Sequence, residues 1–180
     1  LHRNDLNEPG SAAVLDGLLR ERGFRLEPEV IRAALRAMFN VTQENWAVEE
    51  DAASTLRELR DRGFRLGVVS NGSDDDNTQV LVDKSGLRTY LEFVISSAAF
   101  GRRKPDPAIF HLALDHFGVA AGRAVMVGDS YEADIQGAHS LGLQTIWITR
   151  RVDGPLPADH REEAIVNALS QVPPLLPASR

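Results

Sequence analysis

The apolar run Val125-Met126-Val127 stops abruptly at Gly128-Asp129-Ser130, and a second aspartate, Asp134, follows five residues after the first. Such a run reads as a buried parallel strand that delivers a carboxylate to its C-terminal tip. In open α/β sheets that edge is where ligands bind. Two carboxylates converging on one loop suit a hard, oxygen-seeking cation such as Mg²⁺.

The same pattern recurs upstream. Leu66-Gly67-Val68-Val69 is an apolar run closed by Ser70-Asn71-Gly72. Strands are predicted over 65–70, 93–96, 124–127 and 144–149, and helices over 49–62, 76–84, 107–117 and 132–141. Strands alternating with helices predict an α/β fold with a doubly wound parallel sheet. Before these lie two amphipathic segments. Ser11 is expected to cap the first, which presents Val14, Leu15, Leu18 and Leu19 on one face and ends at Gly23. Pro28 suits the first turn of the second, where Ile31, Ala34, Leu35 and Met38 repeat at helical spacing. Trp46 and Val48 are expected to pack where the chain returns to the core. The organisation expected is a helical cap segment over 1–48, an α/β core over 49–152, and a C-terminal tail over 153–180 with one helix near 160–170.

Composition narrows the function classes. A net charge of −6 argues against non-specific nucleic-acid binding, which needs a basic field. The 180 residues contain no cysteine, which excludes disulfides and thiolate metal sites. No apolar run reaches the roughly 18 residues of a membrane span. A cytoplasmic location is the default expectation, with monomer or homodimer undetermined.

A third segment, Phe100-Gly101-Arg102-Arg103-Lys104-Pro105-Asp106-Pro107, places a lysine just before a helix-starting proline. In this order and spacing the three segments resemble the haloacid dehalogenase-like (HAD) hydrolase superfamily, by motif over roughly residues 50–150. The resemblance implies a Rossmann-like core with a small helical cap. It implies Mg²⁺ held by Asp129 and Asp134, a charge-stabilising Lys104, and phosphate binding at Ser70, Asn71 and Gly72. It also implies a phosphatase acting on a small phosphorylated substrate. That family opens with a strand ending in Asp-x-Asp-Gly-Thr, whose first Asp is the nucleophile. No such segment occurs here, so the nucleophile is expected upstream of Leu1. The strand that carries it is central in the resembled fold, between those ending at Ser70 and Asp129. Without it two sheet edges would face each other unpaired, and a lone chain is expected to fold poorly.

Each residue also has a plainer reading. Asp134 could be an acid favouring a helix N-terminus, and Lys104 a solvated surface lysine. Ser70-Asn71-Gly72 is favourable turn sequence, although Gly72 would also let backbone approach a ligand. The ordered motifs favour the functional readings. Asp74, Asp75 and Asp76 read as a solvated loop and helix cap, Asp106 as the cap of the next helix, and Trp147 as core. The five histidines read as structural or surface. Two rivals remain: a 2-haloacid dehalogenase, which would attack carbon without a metal, and a non-catalytic phosphate-binding homologue. A response-regulator receiver domain would share the acidic pocket and lysine but not the Gly-Asp-Ser-x-x-x-Asp motif.

Overall fold

Pairing of short apolar runs organises the core. The computed structural model describes residues 5–152 and 164–177. Strand β1 (Gly67–Ser70) pairs in parallel with β2 (Phe93–Ser96), Val69 opposite Ile95. Strand β3 (Val125–Gly128) pairs in parallel with β4 (Gln144–Ile148), which pairs in turn with β5 (Ala164–Val166). The five strands thus form two parallel sheets, ordered β1-β2 and β3-β4-β5. Among the described residues β1 and β3 each have one strand neighbour, and both line one cavity of 1370 Å³.

Helices follow the expected order: α1 (Gly10–Glu21), α2 (Pro28–Glu44), α3 (Ala52–Asp61), α4 (Asp75–Ser85), α5 (Ser97–Phe100), α6 (Pro107–Phe117) and α7 (Gly137–His139). Helix α6 is delimited by local chemistry. Asp106 accepts from the backbone N–H of Ala108, Pro107 opens the first turn, and Gly118 ends the helix with φ +65°. Asp74 caps α4 in the same way, accepting from Asn77 N–H at 2.8 Å. Asp74 thus takes the capping role expected of the acidic run.

Two apolar clusters hold the layers. Ile95, Ile109, Phe110, Leu114, Ala138 and Leu143 join β2 to α6 and α7. Ile146, Val166 and Val172 form the second, against Val125, Val127 and Ile148. Full burial of each such aliphatic or aromatic side chain contributes roughly 1.5–3 kcal/mol. Trp147 is buried as expected and donates its indole N–H to Asp129 O at 3.0 Å.

Several local expectations need correction. Ser11 does not cap α1; that position is Pro9, and Ser11 Oγ instead donates to Ser73 O. The backbone N–H of Ser11 goes to the same carbonyl, so long-range contact displaces the local cap. Helix α1 buries no residue, and α2 buries only Ile31 and Leu35 of its expected face. Trp46 and Val48 stay substantially exposed. Segment 132–141 is not one α-helix but a π-helical turn (Tyr131–Gln136) running into α7. Of the helix expected near 160–170, residues up to 163 lie outside the described ones. Ala164–Val166 is strand β5, because pairing with β4 outweighs the local helical pattern.

Candidate active site

Both sheets point their strand tips at the same cavity, which is lined by Ser70, Asn71, Lys104, Asp129 and Asp134. Ser70 closes β1, and Asp129 follows β3 directly. A second cavity of 580 Å³ also reaches Ser70, Gly72 and Asp129, so all six residues singled out from sequence border connected surroundings. Parallel pairing puts the strands' C-terminal ends on one edge and so brings Ser70 and Asp129 to the cavity, 59 positions apart in sequence.

Lys104 is buried, unlike a typical surface lysine. Its Nζ donates to Val69 O at 2.6 Å and stands 2.7 Å from Asp134 Oδ1. The Asn71 carboxamide grips the lysine backbone: it donates to Lys104 O at 2.9 Å and accepts from Lys104 N–H at 2.7 Å. Its side chain is therefore engaged with protein.

Asp134 is also buried. Its Oδ2 accepts from Ser130 N–H at 3.0 Å, which folds the π-helical turn back onto the strand tip. Its Oδ1 faces Lys104 but accepts no well-aligned hydrogen bond. A Cβ at position 128 would collide with the Asp134 carboxylate. Glycine before Asp129 is thus what lets Asp134 lie against the strand. Gly72 has a similar reason: a Cβ there would overlap Thr78 Oγ1.

Asp129 differs from Asp134 in being exposed at the strand tip. Both carboxylates line the same cavity, with Asp134 Oδ1 against the Lys104 ammonium. Among the described residues no three His, Asp or Glu side chains cluster as a complete metal cage. Mg²⁺ is commonly held by one or two carboxylates, with water and phosphate oxygens completing its shell. The residues present fit that incomplete donor set.

One contributor had no sequence signal. Residues Asp5 to Pro9 lie along the same cavity. Backbone bonds from Arg103 N–H to Leu6 O and from Glu8 N–H to Gly101 O tie this strap to the loop carrying Lys104. Ser97 Oγ adds a bond to Glu8 Oε2 at 3.3 Å.

A parallel α/β core with a carboxylate at one strand tip, a hydroxyl at another and a buried lysine held by Val69 O and Asp134 defines a Rossmann-like fold with an acidic site. The chain belongs to the haloacid dehalogenase-like hydrolases, whose family description matches residues 9–142. It is 37% identical over 141 residues to a phosphoserine phosphatase of Thermus thermophilus, covering 74% of this chain and 56% of that protein. Its fold matches a HAD phosphatase from Thermococcus onnurineus with a TM-score of 0.70 and 27% identity, over 91% of this chain and 71% of that one. A 2-haloacid dehalogenase from Pseudomonas syringae matches with a TM-score of 0.71 and 30% identity, over 91% and 68%. The chain spans about half the length of the curated relatives it matches. No helix among the described residues is long and apolar enough to cross a membrane.

Proposed function

We propose that this chain is part of a Mg²⁺-dependent phosphatase of small phosphomonoesters, whose nucleophilic aspartate lies on a strand upstream of residue 1. The observation that carries the reading is the cavity lined by β1 and β3, with Ser70, Lys104, Asp129 and Asp134 at one end. A strand added there would pair with both strands. Its C-terminal tip would lie between Ser70 and Asp129.

The roles follow from charge. Asp129, Glu132 and Asp134 make the rim acidic and would repel a phosphate dianion. Bound through Asp129 and Asp134, Mg²⁺ would neutralise that charge and polarise the phosphoryl group. Lys104 Nζ offers a fixed positive charge where negative charge accumulates during phosphoryl transfer. The Ser70 hydroxyl and the backbone amides of Asn71 and Gly72 orient the phosphate oxygens. The upstream aspartate would attack phosphorus and expel the alcohol, and water would hydrolyse the resulting aspartyl-phosphate. Residues 1–48 would act as a partial cap over the site.

The likeness to a 2-haloacid dehalogenase favours a second reading, attack on carbon with halide as leaving group. The two separate by chelation. Phosphate release from p-nitrophenyl phosphate by the longer protein, abolished by EDTA and restored by Mg²⁺, supports the phosphatase. Chelator-insensitive halide release from a 2-haloacid, without phosphate release, rules it out.

A further inference from the structure

Lys104 lies in the loop between α5 and α6, outside any regular backbone ladder. Its stem has four carbons and a compact charged head, so its backbone must be fixed for Nζ to reach one place. Both backbone polar groups of Lys104 are met by a single side chain 33 residues earlier, Asn71. Only a carboxamide offers a donor and an acceptor in one short plane; a carboxylate accepts only. Asn71 stands directly after Ser70 on the β1 tip, so the clamp ties the lysine loop to the strand whose Val69 carbonyl receives Nζ.

We propose that Asn71 is a positioning residue that acts through Lys104, setting where the ammonium group sits, rather than a side-chain ligand of the substrate. The inference rests on the reading of Lys104 as the charge-stabilising group. Displacing a reacting group by about 1 Å can cost on the order of 100-fold in rate. Asn71→Ala should therefore lower kcat by about 10- to 100-fold with little change in KM. Asn71→Asp keeps the acceptor for Lys104 N–H and should lose less.

The test is a double-mutant cycle on the longer protein with p-nitrophenyl phosphate, using wild type, N71A, K104M and N71A/K104M. Action through Lys104 predicts that the double variant equals K104M within about twofold. A loss from N71A that persists in full on the K104M background, or an unchanged kcat in N71A, overturns the proposal. A second measurement needs no turnover. Lys84 and Lys104 are the two lysines of these 180 residues, and Lys84 is exposed. Acetylation by an N-hydroxysuccinimide ester, mapped by mass spectrometry, should label Lys84 quickly and Lys104 slowly. In N71A, with an unchanged near-ultraviolet spectrum, the Lys104-to-Lys84 labelling ratio should rise at least tenfold. An unchanged ratio overturns the positioning role. Failure of the phosphatase reading alone would appear instead as wild-type protein that releases no phosphate, with the labelling result intact.

Discussion

Lys104 and Asp134 form a buried ion pair, Nζ to Oδ1 at 2.7 Å, with 8% and 6% of their side chains exposed. Removing one partner leaves the other charge buried without compensation. Asp134→Ala and Lys104→Met should each cost about 3–5 kcal/mol of stability. The double variant should lose less than the sum of the two, as measured by denaturant midpoints.

Gly128→Ala drives a Cβ into the Asp134 carboxylate. The overpacking should cost about 1–3 kcal/mol. Gly122→Ala is the control, since a Cβ there meets nothing within 4 Å. It should stay within about 0.5 kcal/mol of the parent. Thermal melts of the two variants side by side check the difference.

Acid should weaken the fold through two carboxylates outside the site. The Ser170 N–H holds Asp51 below its ordinary range, with Arg150 adding attraction. The Arg65 guanidinium does the same to Glu92. A depressed folded-state value means stability that is complete above the unfolded-state value, about 4. That stability is lost as pH falls below about 4, towards and through the lower folded-state value. Asp51→Asn should flatten part of this acid limb and leave the pH 6–8 plateau without a new slope. Urea unfolding across pH, from about 3 to 8, reads it.

Asp129→Asn should raise the Mg²⁺ concentration needed for half-maximal phosphatase activity by at least about tenfold, since even indirect partners of a metal cost that much. Titration of Mg²⁺ into the EDTA-stripped longer protein measures the shift.

What the sequence disclosed was whatever local chemistry decides. Helix α6 matches its expected span because Asp106, Pro107 and Gly118 each act within a few residues. Strand β2 matches residue for residue. The residues picked out by the motifs border one cavity, or for Gly72 the second, since parallel topology brings strand tips to one edge. What stayed hidden depends on distant partners. Ser11 looked like a cap but bonds Ser73, 62 positions away. Ala164–Val166 sits in helical-looking sequence, yet β4 recruits it. The engagement of the Asn71 side chain with Lys104, 33 positions on, has no local signature. Likewise nothing in Asp5 to Pro9 announced a place beside the cavity.

Amide hydrogen exchange over Gly67–Ser70 and Val125–Gly128 tests most directly whether a strand fills the cavity between β1 and β3. It should be compared between residues 1–180 alone and the longer protein. A strand pairing with both edges predicts that protection in both segments rises sharply in the longer protein, towards that of the most stable core. Equal protection in the two proteins would contradict the account, leaving the cavity open and the upstream aspartate without a seat.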